Sequence, residues 1–116
     1  MPGIKLLVCG GRDYSDREIL FHRLDSIHGQ RPINIIIEGG AQGADSLARA
    51  WARSRGVLVA TVPALWDKWG RGAGPQRNAA MISLNPDGVL AFPGGRGTAN
   101  MVQQAKDAGV KVVEVR

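Results

Sequence analysis

The stretch that decides the fold is Pro93-Gly94-Gly95-Arg96-Gly97-Thr98, which follows the apolar run of residues 88–92. This order predicts a buried strand, a glycine loop and a helix that begins near Thr98. Because glycine has no Cβ, such a loop lets an anion approach backbone N–H groups closely, and the N-terminus of the helix adds partial positive charge. The stretch therefore predicts a phosphate site at the end of a strand.

Two further glycine loops have the same place between an apolar run and a helical pattern. Gly39-Gly40-Ala41-Gln42-Gly43 follows residues 33–37, and Gly10-Gly11-Arg12-Asp13 follows residues 4–8. Because parallel strands end at one edge of their sheet, we expect the three loops to meet there. The sequence predicts that they hold an anionic small molecule, a phosphorylated nucleoside or nucleotide derivative.

Strand and helix patterns alternate along the whole chain. This alternation predicts an α/β fold: a single Rossmann-like domain over residues 1–116, with an open five-stranded parallel sheet and helices on both faces. The predicted strands are residues 4–8, 33–37, 57–62, 88–92 and 110–115. The first predicted helix runs from the Ser15–Glu18 capping box to His28–Gly29, and the second covers residues 44–55 with Gly56 as its C-cap. The third runs from Pro75 to Leu84. The fourth begins near Thr98 and ends at Gly109, and its inward residues are Met101, Val102, Ala105 and Ala108.

The composition is that of a globular domain in a reducing compartment. The chain has 116 residues, 44% hydrophobic and 22% charged, and its single cysteine, Cys9, excludes an internal disulfide. Cys9 is better explained as a buried residue at a strand end than as a nucleophile. No run reaches the roughly 20 apolar residues of a membrane span, and no signal-peptide pattern opens the chain, so we expect a cytoplasmic protein without a membrane partner. The net charge of +5 serves either solubility or the attraction of anions.

Charged residues in the loops each have two interpretations. Arg12 is predicted to contact a base or a phosphate, and Arg96 either reaches a phosphate or points to solvent. Glu38, at a strand end, is either a hydroxyl acceptor, and so a candidate catalytic carboxylate, or an ordinary exposed carboxylate. Asp45, in the first turn of its helix, either complements the helix dipole or serves the site, by binding a ribose hydroxyl or shaping the loop.

Residues 64–74 form the longest irregular stretch and are predicted to be a flexible flap over the site. Trp66 and Trp69 within it either stack on a base or anchor the flap, or form a subunit contact. Arg77, the second catalytic candidate, either clamps a phosphate or stabilises a leaving group, or is a surface arginine, and Asn78 is its polar neighbour. The full predicted ligand-binding set is Gly10, Gly11, Arg12, Gly39, Gly40, Gly43, Asp45, Arg77, Asn78, Gly94, Gly95, Arg96, Gly97 and Thr98.

The sequence lacks the standard motifs of other sites. Neither G-x-x-x-x-G-K-[ST] nor G-x-G-x-x-G occurs, and no Ser-His-Asp arrangement is readable. His22 and His28 have no matching ligand set, so we expect no metal, and no cofactor is predicted.

Four motifs in order resemble those of the SLOG superfamily of Rossmann-like nucleotide-derivative binders. Residues 93–98 match its P-G-G-x-G-T motif, and residues 39–45 look like the G-G-A-x-G-x-D loop of the DNA-processing protein DprA. With Gly10–Asp13 and Gly74-Pro75-Gln76-Arg77-Asn78 plus Met81, the set most resembles the small YspA and YpsA-related SLOG proteins, over nearly the whole chain. The cytokinin-activating LOG phosphoribohydrolases are a more distant likeness.

The resemblance implies a nucleotide site and a homodimer, but the likeness to the hydrolases is incomplete. Those enzymes use R-K-x-x-M and P-G-G-x-G-T-x-x-E segments, whose arginine and glutamate serve cleavage of an N-glycosidic bond. Arg77 and Met81 match the first segment, with Asn78 in place of the lysine, whereas Met101 stands where the glutamate belongs. Hydrolysis would then need a carboxylate from Glu38 or Asp45.

Three functions follow from this reading. The preferred one is a module that binds or senses ADP-ribose, an NAD-related molecule or a nucleoside monophosphate. The alternative is a hydrolase that cleaves an N-glycosidic or phosphate ester bond of such a nucleotide. DprA-like nucleic-acid binding is the third, although the basic residues are scattered and no recognition helix is evident.

Overall fold

The centre of the fold is one parallel sheet, described in a computed structural model that covers residues 3–116. Its strands are β1 (Ile4–Cys9), β2 (Ile33–Glu38), β3 (Leu58–Thr61), β4 (Gly88–Ala91) and β5 (Val112–Glu114). They lie in the order β3-β2-β1-β4-β5, and every neighbouring pair is parallel. The predicted α/β fold with a five-stranded parallel sheet is confirmed. Because the chain moves outward from β1 to β3 and then returns to the other side of β1, the topological switch point lies between β1 and β4.

Helices cover both faces of the sheet. They are α1 (Arg17–Gln30), α2 (Ala44–Arg55), α3 (Trp66–Trp69), α4 (Ala73–Ile82) and α5 (Arg96–Asp107), with a 3-10 turn over Gly70–Gly72. Leu20 of α1 and Trp51 of α2 are buried against one face of the sheet, whereas Met81 of α4 and Met101 of α5 are buried against the other. Because both faces are covered, β1 and β2 carry nearly continuous apolar runs. No helix within residues 3–116 has the length and hydropathy that a membrane crossing requires.

The first helix begins one residue later than a capping box at Ser15 requires. The carboxylate of Asp16 caps the helix, since its Oδ1 accepts from the Ile19 N–H at 3.1 Å. Ser15 and Glu18 therefore do not form the predicted reciprocal pair. Aspartate and serine are nearly equal as N-caps, so the sequence did not distinguish two adjacent candidates.

The predicted irregular flap at residues 64–74 is wrong, because most of it is helical. Residues 66–69 form α3, which ends at Gly70 with a φ of +55°, and the 3-10 turn leads directly into α4 at Ala73. Pro75 lies in the first turn of α4, where its missing N–H costs nothing. Glycines at 70 and 72 suggested a loop, but here they separate short helical segments.

The last helix begins two residues before the predicted start at Thr98. α5 starts at Arg96, so Arg96, Gly97 and Thr98 form its first turn. Ala108 lies past the end of the helix and is exposed, which corrects its predicted inward position. Gly56 ends α2 in the left-handed conformation, as predicted.

Candidate functional site

A cleft of about 310 Å³ lies at the carboxyl edge of the sheet, at the switch point between β1 and β4. Its walls come from the loop after β1, the start of α2, α4 and the first turn of α5. It is lined by Cys9, Gly10, Gly11, Arg12, Ala41, Asp45, Trp66, Gly74, Arg77, Asn78, Met81, Gly95, Gly97 and Thr98. Nine of these residues belong to the predicted ligand-binding set, so the structure brings them together at one cleft, and their binding of a ligand stays a prediction.

Several of the predicted glycines are required by contacts between the loops. The Gly11 N–H donates to the Pro93 carbonyl at 2.9 Å, which ties the β1 loop to the β4 loop. A Cβ at Gly10 would lie 2.6 Å from the Ala44 Cβ, and a Cβ at Gly43 would overlap the Gly11 carbonyl oxygen. A Cβ at Gly94 would likewise overlap the Thr98 hydroxyl oxygen. These glycines let three loops pack together, and neither Gly43 nor Gly94 lines the cleft.

Gly95 and Gly97 are different, because nothing in the fold requires them to be glycine. A Cβ added at either position would meet no atom within 4 Å, and neither has a left-handed φ. Both line the cleft, and Gly95 is the N-cap of α5 without any side-chain capping bond. The first-turn N–H groups of α5 therefore lack a side-chain cap, and Gly95 and Gly97 have no side chains that would cover the backbone there.

Two arginines border the cleft. Arg77 is oriented by two hydrogen bonds, from Nη1 to the Gly39 carbonyl at 2.8 Å and from Nε to Asn78 Oδ1 at 3.0 Å. Arg12 is exposed, and its guanidinium carbon lies 5.8 Å from the centre of the Trp66 ring. Both arginines line the cleft and add positive charge to it.

Asn78 is buried and connects α4 to α5. Its amide nitrogen donates to the Gly97 carbonyl at 3.2 Å and to Asn100 Oδ1 at 3.0 Å. Because its oxygen accepts from Arg77, one side chain fixes both an arginine and the glycine turn. Its main effect is to position these two walls of the cleft.

Asp45 is the carboxylate of the cleft, and only 7% of it is exposed. Its Oδ2 accepts from the N–H groups of Gly39 and Ala41, both at 3.2 Å, so it shapes the loop after β2. Burial raises the pKa of this carboxyl to about 6, against the lowering effect of the loop N–H groups and Arg77, and the nearby charge of Glu38 raises it further. Within residues 3–116 no hydrogen bond to its Oδ1 is found.

Glu38 lies behind the cleft rather than in it. It is fully buried at 0% exposure, so of its two interpretations that of an ordinary exposed carboxylate is wrong. Its Oε1 accepts from Arg49 at 2.6 Å and from the Gly40 N–H at 2.7 Å, while Oε2 accepts from the Thr61 hydroxyl. Glu38 thus joins β2, α2 and β3, and its position does not favour a catalytic role.

The remaining predicted residues lie at the margins. Arg96 is exposed and does not line the cleft, whereas Gly39 and Gly40 line a hollow next to it. Cys9 lines the cleft, although the prediction did not include it. It is nearly buried, as expected, and burial raises the pKa of its thiol to about 12, so it is a poor nucleophile at neutral pH.

The two tryptophans of α3 have different surroundings. Trp66 lines the cleft, and a Cβ on Gly74 of α4 would lie 3.5 Å from its ring carbon Cη2. Trp69 borders a separate hollow beside Val62 and Pro63. Of the two, only Trp66 is placed to stack on a ligand. This difference could not be predicted from the sequence, since Gly74 and Trp66 come together only in the folded chain.

Fold and cleft together define a Rossmann-like α/β protein whose cleft lies at the switch point of the sheet, where open parallel sheets bind ligands. A profile of YAcAr, the YspA, cpYpsA-related SLOG family, matches residues 4–69. The chain is also 35% identical over 119 residues to the Gene 61 protein of Mycobacterium phage D29, with 94% of each chain aligned. The protein belongs to the YspA, cpYpsA-related SLOG family, which confirms the resemblance read from its motifs.

The fold is also similar to a solved structure. DNA processing protein A (DprA) from Streptococcus pneumoniae superposes with a TM-score of 0.54 at 17% sequence identity, covering 96% of this chain. The match takes in 58% of the DprA chain, so this protein spans little more than half of its length. At this identity the likeness concerns the fold.

Proposed function

We propose that this protein binds a phosphorylated nucleoside derivative in the cleft, with a phosphate at the first turn of α5. The observation that carries the proposal is that Gly95 and Gly97 line the cleft although neither a packing contact nor a left-handed φ requires glycine there. Close approach of a ligand to the backbone accounts for both. An uncapped helix N-terminus favours an anion at this position.

The electrostatics of the cleft support the same ligand. Arg12 and Arg77 add two positive charges to the lining of the cleft, and guanidinium groups suit phosphate oxygens. Asp45 Oδ1 offers an acceptor for a sugar hydroxyl. A volume of about 310 Å³ lies within the usual range of small-molecule sites. Membership in a SLOG family likewise suggests a function related to nucleotides or nucleic acids.

The first experiment is a thermal-shift and calorimetric screen with AMP, ADP, ADP-ribose and NAD, with adenosine and inorganic phosphate as partial ligands. A ligand at a hundred times its dissociation constant should stabilise the protein by about 2.7 kcal/mol. Absence of any shift with all four nucleotides would refute the proposal.

A pair of glycine variants assigns the binding to the cleft. Gly97→Ala should fold normally, because its methyl group meets no protein atom, yet weaken nucleotide binding by occupying the phosphate position. Gly29→Ala in α1 is the matched control, since its added Cβ also meets nothing and it lies outside the cleft. If Gly97→Ala binds as tightly as Gly29→Ala, the phosphate does not lie at α5.

Hydrolysis of the bound nucleotide is a second candidate, favoured by one observation. Asp45 lines the cleft beside Arg77 with a pKa of about 6, which suits a general base near neutral pH. The acidic position of the hydrolase pattern itself is lost, because Met101 stands there and is buried in the core. Chromatography of nucleotides incubated with the protein tests this candidate. Turnover that Asp45→Asn abolishes would support it, and intact nucleotides would exclude it for the compounds used.

A further inference from the structure

A chain of side-chain amides runs from the wall of the cleft along the contact between α4 and α5. Arg77 Nε donates to Asn78 Oδ1 at 3.0 Å, and Asn78 Nδ2 donates to Asn100 Oδ1 at 3.0 Å. Gln104 Nε2 donates to the same Asn100 oxygen at 2.8 Å and to the Pro75 carbonyl at 3.0 Å. Asn78 lines the cleft, whereas Asn100 and Gln104 lie on α5 and are not among the lining residues.

The hydrogen bonds fix which end of each amide is the oxygen. A guanidinium group can only donate, so the Asn78 oxygen must face Arg77. The Asn78 nitrogen then faces the Gly97 carbonyl and Asn100, and both must accept. Asn100 Oδ1 consequently receives two N–H groups, one from each side of the chain. Reversing the Asn100 amide would set its own N–H groups against two other donors.

Loss of the Asn100 oxygen would reach Arg77 through Asn78. Asn78 is 3% exposed, so water has little access to an amide N–H that loses its partner there. The Asn78 amide would keep its bond to the Gly97 carbonyl alone and would no longer be held in one plane. Arg77 would then be oriented only by its Nη1 bond to the Gly39 carbonyl, about which the guanidinium plane can turn.

We propose that Asn100 is a positioning residue for anion binding in the cleft. Its side-chain oxygen holds the Asn78 amide, and the Asn78 amide in turn sets the plane of the Arg77 guanidinium group toward the bound phosphate. Gln104 supports the same oxygen from the other side. This inference rests on the proposed function, since it takes Arg77 as a phosphate contact. Asn100 thus controls the affinity for an anion that it does not touch.

The first test uses two replacements of similar size at Asn100. Asn100→Asp keeps an oxygen that accepts both N–H groups, whereas Asn100→Leu removes it, and Asn100→Ala removes it without adding carbon atoms in case leucine disturbs the fold. Calorimetry with AMP and ADP-ribose should find binding about fivefold weaker in Asn100→Leu and Asn100→Ala. Asn100→Asp should bind within about twofold of Gln103→Glu, which adds the same charge at an exposed position of α5. An equal loss in Asn100→Asp and Asn100→Leu would overturn the inference.

A second test asks whether Asn100 acts through Arg77. In an Arg77→Ala background, Asn100→Leu should weaken AMP binding by less than about twofold, because the group that it positions is gone. The full loss in that background would mark a general structural effect and overturn the inference.

A third test needs no ligand and follows the Arg77 Nε–H signal in the NMR spectrum of isotope-labelled protein, assigned by its absence in Arg77→Ala. Its exchange with water should be about tenfold or more slower than that of exposed Arg23 in the unaltered protein and in Asn100→Asp. In Asn100→Leu the exchange should approach the rate of Arg23. Equal protection in Asn100→Leu and Asn100→Asp would overturn the positioning role whether or not a nucleotide binds. Failure of every nucleotide to bind, with the Arg77 signal responding as expected, would refute the proposed function and leave the link from Asn100 to Arg77 standing.

Discussion

Replacing Asp45 with asparagine should stabilise this protein at neutral pH and lose that advantage in acid. The carboxyl has a pKa of about 6 in the folded protein against 3.8 for the free side chain, mainly because it is buried. A difference of about two units corresponds to about 3 kcal/mol. Asparagine keeps an oxygen that can accept from the N–H groups of Gly39 and Ala41, so the loop contacts survive the change.

The sign follows from where the proton is bound more tightly. Between pH 3.8 and about 6 the folded protein holds a proton on Asp45 that the unfolded chain has released, so stability rises as the pH falls through this range. Above about pH 6 the buried charge costs its full amount. Asp45→Asn removes that cost, and its advantage should therefore shrink from up to about 3 kcal/mol at pH 7.5 to near zero at pH 4.

The assay is urea unfolding at several pH values from 4 to 7.5, followed by the fluorescence change of buried Trp51. Asp25→Asn is the control, because hydrogen bonds from Arg55 and Trp51 lower the pKa of Asp25 to about 2. Its contribution is present above pH 3.8 and is lost only as the pH falls toward 2, so the Asp25→Asn difference should stay nearly constant across the assay. A constant difference for Asp45→Asn as well would refute the reasoning.

Two further predictions concern residues whose roles are structural. Gly43→Ala should lower the free energy of unfolding by about 2 kcal/mol or more, because Gly43 has a φ of +72° and the new methyl group would overlap the Gly11 carbonyl oxygen. Gly29→Ala, in a helix, should raise the free energy of unfolding by about 0.5–1 kcal/mol. Urea midpoints measure both changes, and equal midpoints would contradict the packing argument. Glu38→Gln should lower the free energy of unfolding by about 3 kcal/mol, because it leaves Arg49 without its charged partner. Calorimetry should find nucleotide binding unchanged in the folded variant, and a loss of binding would instead place Glu38 in the site.

The broad fold could be predicted from local patterns. Nearly continuous apolar runs at 4–8 and 33–37 predicted strands covered on both faces, and the helical stripes between them predicted the helices that cover them. The errors fell where two local structures differ little in free energy. Ser15 and Asp16 compete as N-caps, and the glycines at 70 and 72 are compatible with either a loop or a break between short helices.

The sequence predicted where the cleft lies, but it did not predict which residues line the cleft and which support the fold behind it. Parallel strands end at one edge, so three glycine loops had to meet there, and the sequence alone determined that. Only the tertiary structure decided which side chains line the cleft. Glu38 and Asp45 flank the same loop, yet the packing of α2 against β2 and β3 places Glu38 on Arg49 and leaves Asp45 at the cleft. Likewise Gly94 and Gly95 are neighbours, and their different roles depend on contacts with distant segments that no local pattern encodes.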